Sequence, residues 1–196
     1  DIDKNTSPVL CLGPCEASVG EMASAYTTFA NGGIRCAPLF VTKIEDSHGN
    51  VIAKFQPLMT EVISEVSSYQ MIDMLRAVIQ GGTGSRLRYA YHLTVDMGGK
   101  TGTTNNNADG WFMGITPNLV SGCWVGGEDR DIHFDHTSMG QGATMALPVW
   151  AYYMQRVYAD KRLGYSQSTK FTMPAKFNPC QTADTINVNG IQEEYF

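Results

Sequence analysis

Three strand-like stretches, residues 94–104, 110–115 and 120–126, follow one another with only a few residues between them. No other feature limits the fold as tightly. A parallel pair needs a crossover of a dozen residues or more, whereas antiparallel neighbours can be joined by a tight turn. Asn105-Asn106-Asn107 and Pro117-Asn118 place turn-forming residues at the two joints. The stretch therefore reads as an antiparallel meander. Helical patterns stand on either side of it. Residues 17–29 carry an apolar stripe of Met22, Ala25, Tyr26 and Phe29, stopped by Asn31-Gly32-Gly33. A second helix starts near Ser64, with Ser67 as an alternative cap. It runs through Tyr69, Ile72, Leu75, Arg76 and Ile79 and ends at Gly81-Gly82-Thr83-Gly84-Ser85. A third, residues 143–158, carries Leu147, Trp150, Ala151 and Met154. Residues 39–45 and 51–55 flank a polar turn and read as a hairpin. Helices, a compact sheet and a closing helix together give the α+β class, an antiparallel sheet packed with helices.

Composition narrows the function. A chain of 196 residues with 43% hydrophobic and 17% charged residues can bury a sizeable core. Its net charge of -5 gives no electrostatic reason to expect nucleic acid, which needs clustered Lys and Arg. No apolar run reaches the length of a membrane span. Asp1 is not followed by a signal-peptide series, and the opening without Met reads as an internal starting point. Five cysteines are too sparse for a disulfide scaffold, although a Cys11–Cys15 bridge is open to an oxidising compartment. Residues 1–15 read as an irregular entry segment, broken by Pro8, Gly13 and Pro14. Residues 1–160 form the main unit, and residues 161–196 read as an extension, either packed as an arm or partly disordered.

The chemistry concentrates in Gly98-Gly99-Lys100-Thr101-Gly102-Thr103-Thr104-Asn105. On a strand, Lys100, Gly102 and Thr104 share one face and Thr101 and Thr103 the other. Gly102 leaves room for a ligand or another backbone to come close. A lysine ammonium beside hydroxyls suits a carboxylate. At a sheet edge, the free backbone groups would pair an extended peptide, and one amide would stabilise an oxyanion. The competing reading is a solvent-facing edge with no ligand. A nucleotide phosphate loop is excluded, because the Gly-Lys-Thr lacks the earlier glycine of that pattern and continues as a strand.

The neighbouring motifs point to a family. Glu21-Met22-Ala23-Ser24-Ala25-Tyr26-Thr27-Thr28-Phe29-Ala30-Asn31-Gly32-Gly33 resembles a stretch of the class A penicillin-binding proteins, the bifunctional peptidoglycan synthases. Gly81-Gly82-Thr83-Gly84, Gly99 to Asn105, Asp109-Gly110-Trp111-Phe112-Met113-Gly114 and Cys123-Trp124-Val125-Gly126 resemble their transpeptidase domain in order and spacing. The likeness covers about residues 9–158. It implies a β-lactamase/transpeptidase-like fold and a D,D-transpeptidase that crosslinks D-Ala-D-Ala stem peptides through a serine acyl-enzyme and is acylated by β-lactams. It assigns Lys100 to the catalytic network and the Thr103 backbone to the oxyanion hole. Thr101, Gly102, Thr103 and Thr104 fall to substrate binding, Thr101 and Thr103 through the substrate carboxylate. It calls for no cofactor and no metal. It also implies a periplasmic or extracytoplasmic setting, a membrane anchor outside this stretch and possible cell-wall synthesis partners.

The same mechanism requires Ser-x-x-Lys and Ser-x-Asn elements upstream of Lys100, and residues 1–99 contain neither. Ser166-Gln167-Ser168-Thr169-Lys170 has the wrong spacing and position. The expectation is a C-terminal part of the transpeptidase domain, whose nucleophile lies in an upstream half that precedes Asp1, so that this chain alone is inert. A non-catalytic module that binds cell-wall peptides, or takes part in assembly, is the alternative. Ser7, Ser18, Ser85 and Ser138 read as caps or surface hydroxyls. Asp129, Asp131, His133, Asp135 and His136 fit no standard metal spacing and read as a solvated loop. Gly81 to Arg86 reads as a cap and tight turn, with Thr83 and Arg86 as candidates for shaping a substrate groove. Trp111, Phe112 and Trp124 read either as an aromatic platform or as sheet packing, and Cys123 as a buried strand cysteine.

Overall fold

The structure, a computed structural model, describes residues 16–177. Cys11, Cys15, the rest of the entry segment and residues 178–196 lie outside the described residues. The first helix, α1 (Val19–Ala30), begins at a reciprocal cap. Ser18 Oγ accepts from Glu21 N at 3.2 Å, while Glu21 Oε2 accepts from Ser18 N at 2.8 Å. It stops where the chain turns left-handed at Gly32 and Gly33, with φ of 61° and 94°. Gly33 O then accepts from Val62 N and Ile63 N at 2.9 and 3.3 Å, and a Cβ at Gly33 would run into the Ile63 carbonyl.

Between these contacts the chain makes an excursion. Strand β1 (Ile34–Cys36) pairs antiparallel with β4 (Met59–Glu61), enclosing the hairpin of β2 (Lys43–Glu45) and β3 (Val51–Lys54). The expected hairpin is present with a shorter first strand. The β1–β4 pair was not expected, because its strands are three residues long and exposed almost throughout. Helix α2 (Glu65–Gln80) takes Ser64 as its cap, with Ser67 N donating to Ser64 Oγ at 3.1 Å, so the open choice falls to Ser64. A tight turn after Gly81 leads into the short α3 (Arg86–Tyr89).

The meander forms as expected. Strands β5 (Gly98–Thr103), β6 (Asp109–Ile115) and β7 (Val120–Gly126) make one antiparallel sheet in that order, with Thr101 opposite Phe112 and Trp111 opposite Trp124. The expected strand over residues 94–104 is corrected to a later start. Its ladder begins only where Gly98 meets Ile115, since β6 then turns away through Thr116 N to Leu119 O. Residues 95–97 are buried without being strand. After the short α4 (Thr137–Gly140) comes α5 (Gly142–Ala159), which covers one face of the sheet.

Two apolar clusters clamp that sheet. On the α5 side, Phe112, Leu147, Trp150 and Met154 pack with Val95 and Met97, and the Phe112 and Trp150 rings meet edge to face at 5.1 Å. On the other side, Ile115 packs against Tyr69, Ile72 and Leu75 of α2 and against Phe171. Phe171 belongs to a returning arm. Gln167 Oε1 accepts from Thr94 N and Thr94 Oγ1, both at 2.8 Å, and Phe171 N donates to Asp96 Oδ2 at 3.0 Å. Asp96 also receives two hydrogen bonds from Arg76, whose guanidinium lies over the rings of Tyr69 and Phe171. One carboxylate thus joins α2, the entry to β5 and the arm.

Candidate functional site

Among the described residues, strand β5 is the outer strand of its sheet, with β6 on one side only. Thr104 N donates inward to Asp109 O at 3.2 Å. Antiparallel alternation therefore turns the backbone N–H and C=O of Thr101 and Thr103 toward the open edge. Lys100 is exposed and lays its Nζ along that edge, donating to Thr101 O at 2.8 Å. The Lys100 and Gly102 face looks into an open groove of about 730 Å³, walled by Met22, Tyr26, Trp111, Met113 and Trp124.

The opposite face carries the threonine hydroxyls. Thr101 Oγ1 lies 2.7 Å from Thr83 Oγ1, and Thr103 Oγ1 accepts from Gly142 N at 3.0 Å. Gly142 is the first residue of α5, so the positive end of an 18-residue helix stands behind Thr103. A side chain at Gly142 would meet Gly102 O and Trp111 O, which explains how the helix comes so close to the sheet. Arg86 Nη1 reaches Ala143 O at 3.4 Å and ties the turn after α2 to the same helix end. Residues from three separate regions of the sequence thus meet at Thr101 and Thr103. The Gly142 amide was missed from sequence, where its one signal was a glycine heading the last helix.

Thr104 sits differently. Its Oγ1 accepts from Asp109 N at 3.1 Å and closes the turn between β5 and β6, in which Asn106 and Asn107 adopt left-handed φ of 62° and 56°. The aromatic residues divide between the two readings. Phe112 is fully buried against α5, whereas Trp111 and Trp124 line the groove, and Trp124 Nε1 donates to Asp109 Oδ2 at 3.1 Å. Asp109 Oδ1 is buried with no partner among the described residues.

The remaining candidates are scattered. Among the described residues no group of three His, Cys, Asp or Glu side chains is placed to hold a metal ion, and residues 129–136 form an exposed loop. Ser18 is a helix cap, Ser138 is exposed, and Ser85 starts α3 without a side-chain cap bond. Ser166 and Ser168 bond each other on the arm. Cys123 is half-buried rather than buried, because β7 is the other outer strand, and burial still pushes its thiol pKa up. No helix among the described residues is long and apolar enough to cross a membrane.

A helix-backed antiparallel sheet whose outer strand reads Lys-Thr-Gly-Thr along an open groove defines the transpeptidase/β-lactamase-like class. Residues 9–121 match the family described as penicillin binding protein transpeptidase domain, and the chain belongs to that family. Within it, the class A proteins are its relatives. Penicillin-binding protein 1A of Aquifex aeolicus is 39% identical over 148 residues, covering 76% of this chain and 20% of that protein. Its counterpart in Neisseria lactamica is 38% identical over 156 residues, covering 74% and 18%. The chain thus spans about a fifth of the length of the curated relatives it matches. Among solved structures, penicillin-binding protein 1A from Haemophilus influenzae superposes with a TM-score of 0.73 at 26% identity, over 88% of this chain and 30% of that one. PonA1 from Mycobacterium tuberculosis gives 0.71 at 26% identity, over 87% and 44%.

Proposed function

We propose that this chain supplies the substrate-recognising wall of a D,D-transpeptidase cleft that crosslinks peptidoglycan stem peptides and accepts β-lactams in their place. The observation that carries this reading is the open edge of β5, where Lys100, the Thr101 and Thr103 hydroxyls and the outward Thr103 amide stand together. An extended peptide ending in D-Ala-D-Ala would pair with that edge by strand addition. Its terminal carboxylate would take hydrogen bonds from Thr101 and Thr103, favoured by the Lys100 charge and by the α5 N-terminus. The carbonyl under attack would direct its developing negative charge at the Thr103 N–H.

The nucleophile in this reading comes from polypeptide preceding Asp1. Its serine oxygen forms an ester to the penultimate D-alanine carbonyl as the bond to the terminal D-alanine breaks. The serine proton passes to the departing amine. An amine of a second stem peptide then attacks the ester, releases the serine and completes the crosslink. Lys100 Nζ stands along the same edge, where it donates to Thr101 O. The same reading includes a periplasmic, membrane-associated setting, an upstream half of the same domain as partner and cell-wall synthesis proteins as further candidates. The identities of 39% and 38% to penicillin-binding protein 1A support it.

Intact mass after incubation with a reactive penicillin tests the reading. A longer polypeptide of the same protein should gain one stoichiometric adduct while this chain gains none. An adduct on this chain would place the nucleophile among its own serines and overturn the proposal. Reversible D-Ala-D-Ala peptide binding with no adduct on either would favour a non-catalytic binding module.

A further inference from the structure

Two threonines at the open edge of β5 border the groove, and the hydroxyl of each is engaged, on the face turned to α5, by a group from elsewhere in the chain. Thr103 Oγ1 accepts a hydrogen bond from Gly142 N at 3.0 Å. An oxygen that accepts there keeps its own proton for another partner, and Thr103 is exposed and borders the groove. Thr101 Oγ1 stands in the matching position, but the group behind it is the hydroxyl of Thr83 at 2.7 Å. A hydroxyl can donate or accept, so this second contact alone has a choice of direction.

We infer that Thr83 is a positioning residue for a carboxylate ligand: it donates to Thr101 Oγ1 and thereby turns the Thr101 proton outward, as the Gly142 amide does for Thr103. This deepens the reading of β5 as a carboxylate-recognising strand and rests on it. The backbone around Thr83 is built to hold the hydroxyl in place. Gly82 N and Gly84 N both donate to Val78 O at 3.1 Å, closing the turn onto the end of α2. Two residues after Gly84, Arg86 bonds Ala143 O of α5. The turn carrying Thr83 and the helix carrying Gly142 are thus linked to each other as well as to β5. An anion in front fixes the direction, because both threonines then donate to it and must accept from behind. Each bond in such a chain polarises the next. With no anion bound, the Thr83–Thr101 pair has no reason to prefer one direction.

The test is reversible binding of diacetyl-lysyl-D-alanyl-D-alanine, as free acid and as C-terminal amide, to this chain, followed by NMR titration. The wild type should bind the acid more tightly than the amide. Thr83→Val, which keeps the shape and removes the hydroxyl, should weaken the acid by about three- to tenfold, the net worth of the one neutral hydrogen bond that backs Thr101, and leave the amide unchanged. Thr83→Ser should restore the acid. A purely structural role would weaken both ligands alike or lower the melting temperature, and Thr83 is exposed, so the valine variant should fold. If the wild type prefers the acid and Thr83→Val binds it equally well, the inference about Thr83 is wrong while the carboxylate reading stands. If the wild type does not distinguish acid from amide, the reading of the strand fails and takes the role of Thr83 with it.

Discussion

At the scale of single residues, Asp96 has the widest reach. Burial alone would raise its pKa, but the Arg76 hydrogen bonds, the Phe171 amide and the nearby charges of Arg76 and Lys170 outweigh that and hold it below the usual carboxylate range. A lowered folded-state value means that the unfolded chain binds the proton more readily. The stabilisation is therefore complete above the unfolded value near ~4 and is lost as pH falls through the folded value. Asp96→Asn should cost about 3 kcal/mol at pH 7 in urea unfolding, because Arg76 loses its main counter-ion in a mostly buried position. The difference between variant and wild type should shrink as the pH is lowered past 4, and a constant difference would contradict this account. Gly142 shows a second kind of residue-scale demand, that of space. Gly142→Ala should destabilise by about 1–3 kcal/mol, the usual range for overpacking, and shift the Thr103 resonances as the helix end backs away from β5.

Elements show which local signals can be trusted. Strand β7 is found over the residues read from sequence, because the Pro117-Asn118 turn fixes its start. Helix α2 likewise begins at a serine cap that the pattern had marked. Strand β5 was read four residues too early. Val95 and Met97 look like strand positions, yet they are buried by α5 and by the anchoring of Asp96, with no ladder partner opposite among the described residues. Four-residue α3 and the three-residue β1 and β4 are too short to show a period at all. The candidate site was legible along β5 itself, where Lys100, Thr101 and Thr103 are neighbours in sequence. What stands behind it was legible only in part: Thr83 is a groove-shaping candidate in the sequence, but its contact with Thr101 and the Gly142 amide at Thr103 span 18 and 39 residues. Cap chemistry at α1 can be tested directly. Ser18→Ala should cost about 1 kcal/mol in thermal or urea unfolding, and no loss would mean that Glu21 holds the first turn without its partner.

On the scale of the whole molecule, stability is unevenly spread. The three-stranded sheet is clamped by apolar clusters on both faces, whereas β2 and β3 pack chiefly on each other. Phe40, Ile52 and Leu58 on that excursion are 92, 68 and 70% exposed. A two-stranded hairpin without a covering layer is marginal in water. Amide exchange in residues 43–54 should therefore run orders of magnitude faster than in β6, and equal protection would mean that the hairpin shares the core's cooperativity.

The three tryptophans divide along the same lines as the structure. Trp150 is 2% exposed and donates its indole N–H to Ser121 at 2.8 Å, while Trp111 and Trp124 border the groove. Fluorescence from this chain is therefore two signals in one: a shielded emitter that reports the packing of α5 on the sheet, and a pair reachable by a soluble quencher such as acrylamide. Filling the groove changes only the second, so occupancy can be followed in the unlabelled protein without disturbing any residue of the cleft.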